Sequence, residues 1–218
     1  MLGLGSYETA WTWLHKLRRA MVRPGRDRLA GEVEVDETFI GGVEPGGGRR
    51  HIGKKALVAV AVEVRGKGIG RIRLRRVKDS SAQSLEPFVQ AAVEPGALVV
   101  TDGLPSYDGL TKLGYRHEKK VVRGSGKNAS ELLPRVHRVA SLLGRWLLGT
   151  HQGGVSREHL DYYLDEFAFR MNRRNSRYRG LLFYRLLEQA VLVDAVPYKA
   201  MVRGIRGRRR PSGPRGPT

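Results

Sequence analysis

Two acidic positions carry the strongest chemical signal in the sequence. The first lies in Val33-Glu34-Val35-Asp36-Glu37-Thr38, where strand alternation puts Val33 and Val35 on one face and Glu34 with Asp36 on the other. A carboxylate in a central strand is costly to bury unless it binds a cation or meets a basic group. The second is Asp102, which ends the apolar run Leu98-Val99-Val100-Thr101 and precedes Gly103. That places it at the carboxyl end of a buried strand, where α/β sheets gather their ligands. If the two strands are neighbours, Asp36 and Asp102 converge, and two close carboxylates repel unless metal ions sit between them. The chemistry that suits such a pair is two-metal phosphoryl transfer, with Mg²⁺ or Mn²⁺ stabilising the attacking and leaving oxygens. On the residues alone, a solvent-facing acidic edge for the first segment and a turn or cap aspartate for the second are the alternatives.

Among the six histidines His137 stands apart. It falls on the helix face opposite a Val136/Ala140/Leu143/Leu147 stripe, with Ser141, Gly144 and Arg145 one and two turns later. His15, His51, His117, His151 and His159 are scattered and read as surface or hydrogen-bonded side chains; the tryptophans and the Tyr162-Tyr163 pair read as core. Gly48 to Lys55 nearly matches a phosphate-binding loop, but Lys55 stands where Ser or Thr must hold Mg²⁺, and a strand pattern follows instead of a helix. A basic hairpin touching DNA backbone is the better reading, and no nucleotide cofactor is expected.

The elements that must position these residues are legible as periodicities. A helix over 6–22 starts at an N-cap Ser6 and carries Tyr7, Trp11, Leu14, Leu17 and Met21 on one face, with Pro24-Gly25 as its stop. Strands over 32–40, 56–64 and 69–77 form an antiparallel meander. A helix capped by Ser81 leads to a buried strand over 97–100, a short helix over 106–113 and a fifth strand over 115–122. Residues 124–130 have loop composition. Helices then follow on Val136 to Leu147, on Leu160/Leu164/Phe167/Met171, and on Leu181 to Val191. The order β-β-β-α-β-α-β-α fits an RNase H-like mixed α/β sheet with further helices after it, and on the pattern alone other α/β folds compete with it.

The 218 residues hold 40 Lys+Arg against 21 Asp+Glu, a net charge of +19, and no Cys. The absence of Cys removes disulfides, thiolate zinc sites and a thiol nucleophile. The charge points to a polyanionic partner, DNA or RNA, with an anionic membrane surface and a solvated basic surface without a ligand as the alternatives. Candidate backbone contacts are Arg49, Arg50, Lys54, Lys55, Arg145, Arg173 and Arg174. From Val202 on, six arginines lie among Gly and Pro with almost nothing apolar, the composition of a disordered, non-specific tail. Neither a membrane span nor a signal peptide is expected, which makes the cytoplasm the default compartment.

Taken together, Val33-Glu34-Val35-Asp36-Glu37-Thr38-Phe39-Ile40-Gly41-Gly42, Val100-Thr101-Asp102-Gly103 with Tyr107, Leu147-Leu148-Gly149-Thr150-His151 and Asp165-Glu166-Phe167-Ala168-Phe169-Arg170-Met171-Asn172-Arg173-Arg174 carry a resemblance. The chain resembles the ISXO-type transposases of insertion-sequence family fifteen-ninety-five over residues 6 to 191. The resemblance implies an RNase H-like DDE-type catalytic domain using Asp36, Asp102 and a third polar residue, here His137, to hold two divalent ions. It also implies DNA partners (element inverted-repeat ends and target DNA), a homo-oligomer on DNA, and a prokaryotic, nucleoid-associated location. Two departures stand out. Gly144 occupies a position where such proteins commonly carry Lys, and of an N-terminal zinc-binding and helix-turn-helix region only the helix over 6–22 is expected here. The expected organisation is a residual DNA-binding helix over 1–25, a catalytic domain over 26–195 and a basic tail over 196–218. The alternatives are a truncated, inactive remnant that binds DNA without cutting it, and an RNase H-like nuclease acting on branched DNA.

Overall fold

The computed structural model describes residues 3, 5–23, 25–41, 55–121, 126, 128–152 and 155–202. Arg49, Arg50, Lys54, His51 and the Arg-rich segment after Val202 lie outside the described residues.

Three apolar runs build the first half of one sheet. β1 (Glu32–Ile40), β2 (Ala56–Arg65) and β3 (Gly68–Val77) pair antiparallel in sequence order. β2 is buried on both faces from Ala56 to Val62, as its uninterrupted Ala/Val/Leu composition requires of a strand covered on each side. α2 (Ala82–Ala92) then crosses over to β4 (Leu98–Thr101), which pairs parallel with β1, and a 3-10 turn (Pro105–Thr111) leads to β5 (Arg116–Lys119), parallel to β4. The sheet order is β3-β2-β1-β4-β5, so β1, which carries Asp36, and β4, which Asp102 follows, are adjacent. Ser81 precedes α2 but makes no side-chain cap; its hydroxyl bonds Asp79, whose carboxylate also accepts from the Ser81 amide and the Ser84 hydroxyl.

Each face of the sheet is covered. On one side Val33, Val35 and Val99 pack with Leu85 and Phe88 of α2 and with Tyr107 of the 3-10 turn. On the other, Val58, Val60 and Val100 pack against α4 (Pro134–His151) and α5 (Leu160–Asn172) through Val136, Leu143 and Leu164. The loop expected over 124–130 ends earlier than its composition suggests. Asn128 caps α3 (Ala129–Leu132) in a reciprocal box with Glu131, so two orphan amides are satisfied at once.

β3 is an edge strand, and its open backbone is closed by side chains instead of by another strand. Asn172 accepts from the Ile72 amide at 2.7 Å and donates to the Ile72 carbonyl at 3.2 Å. Arg174 donates to the carbonyls of Gly70, Met171 and Ile69.

α1 (Tyr7–Ala20) is capped by Ser6, whose hydroxyl accepts from the Thr9 amide. It packs on α5, on α6 (Leu181–Ala190) and on α7 (Tyr198–Val202). Its buried face differs from the one its periodicity predicts. Tyr7 and Leu14 are exposed, whereas His15 and Arg18 face inward. Arg18 donates to Glu166 at 2.7 Å and stacks over Tyr163, so a buried ion pair fixes the helix in place of an apolar stripe. Residues 198–202, expected within the tail, form α7, and the Met201 carbonyl lies 3.1 Å from His159 Nε2.

His15, expected at the surface or hydrogen-bonded, is fully buried against Trp11, His159 and Tyr162, and neither ring nitrogen has a hydrogen-bond partner. Burial, helped by the Arg18 charge, pushes its pKa down to about 4. The folded protein therefore holds this ring neutral, while the unfolded chain takes up a proton below about pH 6.5. Stability is complete above that value and falls progressively as the pH drops toward 4, by up to about 3 kcal/mol. His15→Phe keeps the packing and removes the titration. Thermal melts between pH 7.5 and 4.5 should show a flatter dependence for the variant, and parallel curves would contradict the assignment.

Candidate active site

The register between β1 and β4 sets the site. Val33 pairs with Val99 and Glu34 with Val100; continued by two residues, this places Asp36 and Asp102 side by side just past the last paired positions. Asp102 leaves the strand in a tight turn, its Oδ1 accepting from the Leu104 amide at 3.0 Å. Gly103 is required there. Its φ is +89°, and a Cβ would lie 2.8 Å from Val121 Cγ2.

His137 comes from the helix that covers this part of the sheet. Its Nε2 lies 3.5 Å from Asp36 Oδ2, and it is buried without a hydrogen-bond partner. Val136, Val139, Leu143 and Leu147 are the buried stripe of α4, and Ala140 is not among them. The sequence pattern is satisfied by either set, since positions 139 and 140 both fall near the apolar face. With Val139 inward, His137 and Ala140 line a cleft of about 140 Å³ together with Asp36, Glu37, Thr38, Val60 and Val136.

What holds His137 over Asp36 is a residue that the sequence marks only as acidic. Glu34, 1% exposed, accepts from the amides of Arg135 and Val136, each at 2.8 Å, and from the Arg135 guanidinium at 2.9 Å. A carboxylate at the first turn of a helix satisfies orphan amides and favours the positive end of its dipole. Arg135 in turn donates to the carbonyls of Gly66 and Gly68 in the β2–β3 turn. One buried carboxylate therefore ties β1, that turn and α4 together at the two residues immediately before His137. The contact is tertiary, across about a hundred positions, and strand alternation alone gave no partner for Glu34.

Electrostatically the cleft is strained. Burial and the neighbouring Asp102 push the Asp36 carboxyl up to about 6, against the opposing pull of the Glu37 amide and His137. Glu37 is pushed up to about 7, chiefly by burial, and accepts a 2.8 Å hydrogen bond from the buried Tyr107 hydroxyl. Among the described residues, no three His, Cys, Asp or Glu side chains already close round a common metal position. The donors nevertheless fit a divalent cation. Two carboxylates that resist sharing the site and an orphaned imidazole nitrogen facing one of them are each relieved by the same positive charge.

Residues 28–172, more than half of the chain, match the family model of the ISXO2-like transposase domain. The chain belongs to that family. A comparison with curated proteins found no match. Among solved structures, the chain is similar to the catalytic core domain of HTLV-2 integrase in complex with magnesium, at 15% identity over 71% of this chain and 94% of that one, with a TM-score of 0.41. It is also similar to the simian T-cell lymphotropic virus intasome (14% identity, 91% and 64% covered, TM-score 0.44) and to the Mos1 strand transfer complex (16%, 83% and 61%, TM-score 0.39). The chain spans less than two thirds of the latter two chains.

Within this transposase domain the basic residues divide. Lys55 immediately precedes β2, whose Ala56 pairs with Ile40, so the connection carrying the Lys/Arg cluster leaves β1 four residues after Asp36. Arg145 is exposed on α4, two turns after His137. Arg174 is engaged by two backbone carbonyls of the β3 edge and by that of Met171 in α5, and Arg173 lies 3.9 Å over the Phe169 ring. The motif from Asp165 to Arg174 thus has a visible structural use. Glu166 binds Arg18 and Arg170, and Asn172 and Arg174 clasp the sheet edge. Among the described helices, none is long and apolar enough to cross a membrane.

Proposed function

We propose that this transposase-family chain cleaves a phosphodiester at insertion-sequence ends and joins the freed 3′-hydroxyl to target DNA, with Asp36, Asp102 and His137 as the residues that hold divalent metal. The observation that carries the reading is the β1–β4 register, which sets the two carboxylates beside each other with the unpartnered His137 nitrogen over one of them. When bound, two ions such as Mg²⁺ or Mn²⁺ would supply activation of the attacking oxygen and charge stabilisation of the leaving one. The chain's own contribution is position. Asp36 and Asp102 would hold the ions from adjacent strands, the Glu34 clamp fixes the helix turn that carries the imidazole, and Tyr107 orients Glu37 at the cleft wall. Hydrolysis and strand transfer are both in-line displacements at phosphorus, so one such site serves both. The basic connection around Arg49, Arg50, Lys54 and Lys55, together with Arg145, is suited to gripping the DNA backbone. We further propose a homo-oligomer on paired DNA ends, within the cytoplasm.

The test is cleavage and joining of a labelled duplex carrying the element end. Imidazole suits softer metals than carboxylate does, so turnover with Mn²⁺ is expected to exceed that with Mg²⁺ by roughly tenfold. Equal or reversed rates would remove His137 from the ligand set.

Gly144 gives a second handle. It lies two turns after His137, and a Cβ built there meets nothing within 4 Å. Gly144→Lys therefore fits without repacking. Replacing a mid-helix glycine should stabilise α4 by about 0.5–1 kcal/mol, and the added cation should tighten DNA binding and raise cleavage several-fold. Stability that rises while cleavage stays undetectable and binding is intact would favour the DNA-binding remnant.

A further inference from the structure

α6 presents an apolar face on both sides. Leu186 and Gln189 face inward, on the side where the helix meets α1. Outward, Tyr184, Leu187 and Val191 form an i, i+3, i+7 line, exposed by 63%, 42% and 84%, and Phe183, Leu181 and Leu192 widen it. Six side chains each presenting on the order of 100 Å² give roughly 600 Å², at the upper end of the largest apolar patch on an ordinary monomer. That is close to the roughly 800 Å² per partner of a standard stable interface.

The charges on this face select its occupant. Arg185 and Glu188 are both exposed and lie on the same flank of the Tyr184/Leu187/Val191 line. When two helices pack antiparallel, equivalent flanks face each other; when they pack parallel, opposite flanks do. An antiparallel pair of α6 helices crossing near Leu187 sets Arg185 of each copy against Glu188 of the other. The line is therefore self-complementary in the Arg185 and Glu188 charges, as a two-fold interface requires. We infer that α6 is a homodimer interface, in which a second copy of this chain packs antiparallel on the Tyr184/Leu187/Val191 line without any need for DNA. The inference names the face of the proposed homo-oligomer and is independent of the chemistry in the cleft, so failure of either leaves the other standing.

The test is sedimentation of the full DNA-free chain at moderate salt, up to about 100 µM, a range that detects micromolar association. A dimer is expected, and Leu187→Glu, at an exposed position, should convert it to a monomer with unchanged circular dichroism. Arg185→Glu and Glu188→Arg should each weaken the dimer about tenfold or more, because each places like charges together twice. Mixing these two variants should restore a stable heterodimer, since both crossings then carry opposite charges. A wild-type monomer at the top concentration would overturn the inference, whether the face is open or covered by residues 203–218. So would a dimer indifferent to Leu187→Glu, or two charge variants that fail to associate when mixed.

Discussion

Asp36→Asn and Asp102→Asn are each expected to lower strand cleavage on the order of a thousandfold or more while leaving DNA affinity nearly unchanged. Asparagine keeps the size and one acceptor oxygen but removes the charge that would attract a dication. DNA binding rests on the basic surface, so it should survive. The two effects are separable from misfolding by stability. In the metal-free chain the Asp36 carboxyl is held up at about 6 by burial and by Asp102, against an ordinary value near 3.8. An acid whose folded pKa is raised loses stability as the pH climbs from its unfolded value to its folded one, so Asp36→Asn should melt higher than wild type at pH 7–8, by up to about 3 kcal/mol. The advantage should vanish as the pH falls below about 4. Loss of cleavage with a raised melting temperature is the signature of a functional carboxylate. Loss accompanied by a lowered melting temperature would point to a structural role, and retained cleavage would remove the residue from the site.

Glu34→Ala should destabilise the protein by about 3–5 kcal/mol, because it leaves the Arg135 guanidinium half-buried without its partner and two helix amides without an acceptor. Glu34→Gln keeps an acceptor for the amides, so it should lose less. Its uncharged amide no longer balances Arg135. Urea denaturation of the two variants measures the difference. Cleavage by Glu34→Gln is expected to fall out of proportion to its modest stability loss, since the clamp binds the two residues immediately before His137. A Glu34→Ala chain within about 1 kcal/mol of wild type would mean that α4 is held by its apolar stripe alone.

The sheet was legible because its periodicities are local. The alternation of Val33 and Val35 against Glu34 and Asp36, and the apolar run ending at Asp102, each follow from a few consecutive residues, and the structure keeps both. The adjacency of β1 and β4 was conditional in the sequence and is fixed only by the α2 crossover. Rotation of α4 was ambiguous because Val139 and Ala140 fit the same stripe, and the packing of Val139 turns Ala140 toward the cleft. Side chains that bind distant backbone left no local trace. Arg174 and Asn172 look like surface polar residues in a basic segment, yet they close the edge of β3 about a hundred positions earlier. His15 is buried where amphipathic reasoning puts Leu14, because the Arg18–Glu166 pair, invisible in sequence, sets the roll of α1.

The most direct test of the central claim is a crystal of this chain soaked in Mn²⁺, with data collected at the manganese edge. Anomalous density is expected between the Asp36 and Asp102 carboxylates, within ligand distance of His137 Nε2, and absent from Asp102→Asn crystals soaked in the same way. Density elsewhere, or none at this cleft while the ion is bound at other positions, would contradict the assignment of these three residues as one metal-holding site.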